Sequence, residues 1–188
     1  MTRAELARLL SQARALRAGF ASTAPQPWDA VTAAAELAVQ LGHLALCIGR
    51  RNGIGLSQLE DPARPITDTG DELADVALAI LSIAILSGAE PPAPIAEPGQ
   101  ADGPAAATAL LITLVVTAGQ LAESAMVAAG YRHRPAGNMP AVAAAAGTAL
   151  AAAARLAAAA GVDLPAAFDT MTAGAQDFLG ARGAGGTA

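Results

Sequence analysis

Polar residues are sparse in this chain, and their placement among apolar ones divides it into helices. No segment alternates apolar and polar positions with a period of two, so the pattern predicts no strands. Thr2 to about Gly19 reads as an amphipathic helix opened by a capping box of Thr2 with Glu5. Pro25-Gln26-Pro27 is a break, and a second helix is predicted from about Asp29, a good N-cap, to Gly49. Arg50 to Asp68 is rich in Gly, Pro and polar residues and reads as a loop. A third helix starts near Thr69 and ends at Gly88. Ala89 to Pro104 holds five Pro and two Gly without periodicity and reads as a linker. Helices are predicted again at about 105–129, 139–160 and 165–180, with Gly161 and Pro165 as punctuation and a disordered Gly-rich tail over 183–188. The expectation is an all-α helical bundle forming a single domain over 1–182.

The linker at 89–104 separates two halves, 1–88 and 105–182, that look alike. Thr117-Ala118-Gly119-Gln120-Leu121-Ala122 parallels Gln40-Leu41-Gly42-His43-Leu44-Ala45, and each is followed by a loop and a long apolar helix. In the second of those helices Ala145-Ala146-Gly147-Thr148 takes the place of Glu72-Leu73-Ala74-Asp75. The pattern predicts two fused pseudo-repeats, with the polar residues kept mainly in the first.

Composition narrows the setting. With 188 residues the chain can bury a sizeable core. It is 54% hydrophobic with a mean hydropathy of +0.43, and all eleven basic residues are Arg. A net charge of −5 and a pI near 4.9 argue against a nucleic-acid surface, which needs a basic stripe. Cys47 is the only cysteine, so no internal disulfide forms, and a reducing, cytoplasmic setting is expected. Charge at Arg3 and Glu5 falls where a signal peptide needs its apolar core. No membrane span is expected: Ala105–Ala118 is followed closely by Gln120 and Glu123, and the alanine-rich Met139–Gly161 contains Arg155.

Against this apolar background two polar sets stand out. Glu72 and Asp75 are one turn apart, within about 60° of arc on one helix face. Carboxylates held together repel unless a cation lies between them, which favours Mg²⁺ or Mn²⁺. Glu72 also completes a possible capping box, Thr69-Gly70-Asp71-Glu72, whereas Asp75 lies past the cap, where Asp is a poor helix former. Glu36, Gln40 and His43 form the facing stripe, at spacings of four, three and seven. Glu36 suits a hard ion, Gln40 offers a neutral carbonyl or an interhelical hydrogen bond, and His43 a softer ligand or an imidazole satisfied by one carbonyl. Glu123 either reaches the same site or pairs with an arginine. The cluster Tyr131-Arg132-His133-Arg134 reads as a solvated loop, with phosphate binding through Arg132 as the functional alternative, and Arg50-Arg51 has the same two readings. Trp28 is either a core anchor or a wall on which a base stacks. No nucleophile elbow, phosphate loop, dinucleotide fingerprint or zinc ligand set is present.

These residues resemble a family. The all-α nucleoside triphosphate pyrophosphohydrolases (MazG-like, related to dimeric dUTPases) carry Glu-x-x-Glu on one helix and Glu-x-x-Asp on the next. The chain resembles this as Gln40-Leu41-Gly42-His43, twenty-eight intervening residues, then Glu72-Leu73-Ala74-Asp75. Trp28-Asp29 upstream, Gly42 and Leu44 around the second polar position, and Leu73 and Val76 around the aspartate are similar too. So is Gly161-Val162-Asp163-Leu164-Pro165-Ala166-Ala167-Phe168, and the resemblance covers most of 28–90 and, faintly, 108–178. Both glutamates of the first pair are replaced, by Gln40 and His43, and the second half lacks the acids. The resemblance implies a MazG-like bundle in which Glu72 and Asp75, with Glu36 or Glu123 as a third carboxylate, hold Mg²⁺ (or Mn²⁺) on a nucleoside triphosphate. Water then attacks the α–β phosphoanhydride to give a nucleoside monophosphate and pyrophosphate. Trp28, Glu123 and Arg132 would contact substrate, and a homodimer is compatible. The alternative is a catalytically impaired relative that binds nucleotide or a protein partner.

Overall fold

Local chemistry sets the helix ends in the computed structural model, which describes residues 1–24, 26–92 and 104–185. Helix α1, Arg3–Thr23, opens on the expected capping box: Thr2 Oγ1 accepts from Glu5 N at 3.2 Å, and Glu5 Oε2 accepts from Thr2 N at 2.6 Å. Helix α2, Ala30–Arg51, starts on Asp29, whose carboxylate accepts from Thr32 N at 2.7 Å. A short 3-10 turn, Ser57–Leu59, interrupts the following loop. Helix α3, Thr69–Leu86, is capped by Asp68, which accepts from Gly70 N at 2.7 Å and Asp71 N at 3.2 Å. The expected box of Thr69 with Glu72 is therefore displaced by one residue, and Glu72 is left for another role.

Helix α4 spans Pro104–Ala128, α5 Val142–Ala159 and α6 Leu164–Gly185. Among the described residues the fold is all-helical, as expected. Pro140 delays α5 beyond its expected start at 139. Gly161, at φ 71, turns the chain from α5 into α6, in a region that side chains with a Cβ avoid. Residues 183–185, expected in a disordered tail, continue α6. Residues 186–188, and 93–103 of the expected linker, lie outside the described residues.

One core takes side chains from all six helices. Helices α2 and α3 pair closely, as do α4 and α5; α2 also touches α4, and α3 touches α5. Helices α1 and α6 pack on each other and on α3. Helix α3 is thus central, and Leu73, Ile80, Leu81 and Ile83 are fully buried in it. An apolar helix at the middle of a bundle needs no polar face, which accounts for its nearly unbroken apolar run. Arg8 and Gln12 of α1 both bond Asp169 of α6, and Arg14 pairs with Glu90 at 2.9 Å.

By length and composition, three helices could cross a membrane: Ala30–Arg51, Ala105–Ala128 and Val142–Ala159. The second is longer than the apolar run Ala105–Ala118 on which no span is expected. Gln120 and Glu123 do not end the helix, which continues to Ala128.

Candidate functional site

Helix α2 stacks Glu36, Gln40 and His43 along one side, and the α2–α3 pairing brings them against Glu72 and Asp75. Gln40 Nε2 donates to Glu36 Oε1 at 2.7 Å, while Gln40 Oε1 lies 3.2 Å from His43 Nδ1. The same His43 Nδ1 is 3.4 Å from Glu72 Oε2, an electrostatic contact across the helix pair. A polar chain therefore runs Glu36–Gln40–His43–Glu72. The interhelical bond expected of Gln40 is instead made within its own helix, because a carboxylate one turn back is the nearer acceptor. His43 Nδ1 thus faces both a side-chain carbonyl and a carboxylate, on a half-buried ring.

Glu72 is only 7% exposed, and its Oε2 has no hydrogen-bond partner among the described residues. Burial first, then the neighbouring charges of Asp75 and Asp71, push its carboxyl up to about 7. Burial, then Asp71 and Glu36, push Asp75 up to about 6. Both groups resist ionisation, which a bound cation would relieve.

The two acids, one turn apart as expected, do not open onto the same space. Asp75 lines a cavity of about 410 Å³ together with Glu36 and Gln40, whereas Glu72 lies outside that lining, beside His43. Helices α1 and α6 supply the opposite walls: Phe20 and Phe178, with Trp28 from the segment before α2. Arg17 sits between rings, its guanidinium 5.0 Å from the Phe20 centroid and 4.7 Å from that of Trp28. Burial lowers the pKa of Arg17, with Glu36 acting in the opposite direction. Trp28, at 37% exposure, is a cavity wall and not a core anchor.

Sequence reading missed Arg17, Phe20, Phe178 and Ser82, which lines the floor. A usable signal was present for two of them. Arg17 and Phe20 are three residues apart, in a chain where only 3% of residues are aromatic.

The remaining candidates lie elsewhere. Glu123 pairs with Arg132 at 2.9 Å, and neither lines the cavity. Tyr131 Oη approaches Asp29 Oδ2 at 3.5 Å, tying that loop to the start of α2. Arg50 donates to Ile66 O at 2.8 Å and pairs with Glu60, so it braces the 52–68 loop. Cys47 is buried, and burial raises its thiol pKa.

Among the described residues, no three His, Cys, Asp or Glu side chains form a group able to hold a metal ion. The acids fit a narrower role. Magnesium is often held by one or two carboxylates plus substrate phosphates and water, and Glu36 with Asp75 supplies two carboxylates at one cavity. No family model, curated protein or solved structure matches this chain.

Proposed function

We propose that this chain is a metal-dependent nucleoside triphosphate pyrophosphohydrolase of the MazG-like type, working at the α2–α3 cavity. The observation that carries the reading is one cavity shared by two carboxylates, Glu36 and Asp75, an arginine and three aromatic rings. Trp28, Phe20 and Phe178 offer faces for a base, where stacking is worth about 1–3 kcal/mol. Arg17 offers a cation to phosphate oxygens. Glu36 and Asp75 would hold a Mg²⁺ or Mn²⁺ that arrives with the triphosphate. When bound, the ion neutralises phosphate charge and lowers the pKa of attacking water. Glu72, outside the cavity lining and beside His43, would act on that ion only through its repulsion with Asp75. Two pseudo-repeats are supported by the matching pairs α2–α3 and α4–α5, with α2 beside α4 and α3 beside α5. A cytoplasmic setting goes with this substrate.

A second reading is a relative that binds nucleotide without turnover. It is favoured by Gln40 and His43, a neutral amide and an imidazole engaging Glu36 and Glu72. The deciding experiment measures pyrophosphate release from a panel of ribo- and deoxyribonucleoside triphosphates with Mg²⁺ or Mn²⁺, alongside equilibrium binding. Release that Asp75→Ala abolishes establishes the enzyme. Binding without release establishes the second reading, and neither binding nor release removes both.

A further inference from the structure

We propose that Arg17 makes base stacking in the α2–α3 cavity depend on phosphate: its guanidinium covers the aromatic faces, and phosphate draws it away from them. This rests on the reading of the cavity as a nucleotide site and adds its regulation, since base and phosphate would otherwise bind there independently. The Arg17 guanidinium carbon stands 4.7 Å from the centroid of Trp28 and 5.0 Å from that of Phe20, over both rings. All three side chains line the one cavity, so the faces under the guanidinium are faces that a planar ligand in it would use. Two flat groups cannot occupy one ring face. A base arriving alone therefore competes with Arg17.

Over the rings the guanidinium is only partly satisfied. Arg17 Nε is buried and has no hydrogen-bond partner among the described residues. A buried donor left unmet is costly, and ring faces hold a cation through their quadrupole without the paired oxygens that a guanidinium fork matches. Phosphate oxygens supply those pairs, in charge-assisted and often bidentate hydrogen bonds. Among the residues lining the cavity Arg17 is the only basic side chain, set against the carboxylates of Glu36 and Asp75. Phosphate entering the cavity thus has one cation to draw, and that cation is the group lying on the rings.

The part that moves is the side chain and not a helix. At Gly19, between Arg17 and Phe20 on α1, a Cβ would stand 2.7 Å from Leu179 Cδ1, so α1 and α6 are in close contact beside the rings. Farther along the same pair of helices, Arg8 and Gln12 bond Asp169. Trp28 immediately precedes Asp29, whose carboxylate is fixed to Thr32 N at the start of α2. The backbone under Phe20 and Trp28 is therefore held, while the long Arg17 side chain has several rotatable bonds with which to leave them. Once it turns to phosphate, the rings become a stacking wall for the base of the same ligand. A ligand with phosphate and base together meets an open wall, and a nucleoside alone meets a covered one.

Calorimetry of the full chain in Mg²⁺ tests the proposal, titrating adenosine, guanosine, cytidine and uridine with and without saturating inorganic triphosphate. Inorganic triphosphate alone should change the emission of Trp28, the only tryptophan, in a saturable way. It should also tighten the nucleosides by about tenfold or more, and by linkage they should tighten it by the same factor. Arg17→Ala uncovers the rings, so nucleosides should bind that variant about tenfold tighter without triphosphate, and the coupling should vanish. Arg14→Ala, on α1 but outside the cavity lining, should keep the coupling. Should Arg17→Ala fail to fold, the coupling in the wild-type chain decides alone. The proposal is overturned if nucleoside and inorganic triphosphate bind the wild-type chain independently or exclude each other, or if Arg17→Ala leaves nucleoside binding unchanged. Nucleoside triphosphates still bind in those cases, and the reading of the cavity stands. If no nucleoside triphosphate binds, that reading falls and the proposal falls with it.

Discussion

Gln40 Nε2 donates to Glu36 Oε1 at 2.7 Å, so the acid facing the cavity is held by a neutral amide one turn further along α2. A glutamate at position 40 would face Glu36 as a second negative charge in a half-buried site that already contains Asp75. Gln40→Glu should therefore lower the melting temperature of the metal-free chain and enlarge the rise that Mn²⁺ or Mg²⁺ produces. Like charges that destabilise the empty site become ligands once a cation is present. Thermal melts of both proteins with and without divalent cation check this. If the variant loses stability and gains no cation response, the carboxylates do not share an ion.

Stability of the metal-free chain should fall as pH rises from about 5 to about 8, the reverse of the usual carboxylate behaviour. Glu72 at about 7 and Asp75 at about 6 both lie above their ordinary values. A raised folded pKa means that the native state holds the proton more tightly than the unfolded chain. The resulting stability is fully present below the unfolded values near ~4 and disappears as pH climbs through the folded ones. The loss is on the order of 2 kcal/mol, allowing for coupling between the two groups, and each kcal/mol moves the melting temperature by about 2–4 °C. Asp75→Asn should flatten the profile. Below pH ~4 the opposite trend takes over, because Asp169, held low chiefly by its hydrogen bonds from Arg8 and Gln12, must then be protonated. A melting temperature that is level or rising between pH 5 and 8 would contradict the assigned shifts.

Trp28 is the only tryptophan, so its fluorescence reports directly on the cavity. A nucleoside triphosphate added with Mg²⁺ should change that emission in a saturable way. Trp28→Phe keeps a ring and should bind, whereas Trp28→Ala should weaken binding about tenfold to a hundredfold, the range expected from losing one base stack. Arg17→Gln separates the roles further. It should weaken triphosphate much more than nucleoside if the guanidinium contacts phosphate, and both equally if it only props the rings. Calorimetry with the two ligands makes the comparison.

What could be read from sequence was local. Asp29 as a cap, the Thr2–Glu5 box and the apolar run of α3 are each decided within a few residues, and each is found in the fold. The cap of α3 was misplaced by one because Asp68 and Thr69 are both good capping types, and only the backbone geometry selects between them. The cavity was half legible. Glu36, Gln40 and Asp75 announce themselves as polar groups on apolar helices, whereas Arg17 and Phe178 reach the site from the two ends of the chain. No periodicity within one helix encodes which distant helix it will meet. The divergence of Glu72 from Asp75 was hidden for a similar reason: helical spacing places them about 60° apart, and the packing of α1, α2 and α6 around α3 decides that only one lines the cavity.

The central position of α3 makes it the most sensitive part of the chain. Leu81 is fully buried on a helix packed against α1, α2, α4, α5 and α6. Leu81→Ala removes a side chain that those neighbours cannot easily close around, since each is held elsewhere in the same core. A loss of about 2–5 kcal/mol is expected. Leu59 is a leucine too, but it is 67% exposed in the short turn before α3. There, Leu59→Ala should change stability by less than about 0.5 kcal/mol. Urea unfolding of the two variants compares them directly, with the midpoint moving and the slope unchanged if the loss is one of packing. Equal small effects at both positions would mean that α3 is not the core of the bundle. Because the cavity acid Asp75 is carried on the same helix, nucleotide binding by Leu81→Ala should weaken with its melting temperature, while that of Leu59→Ala should not move.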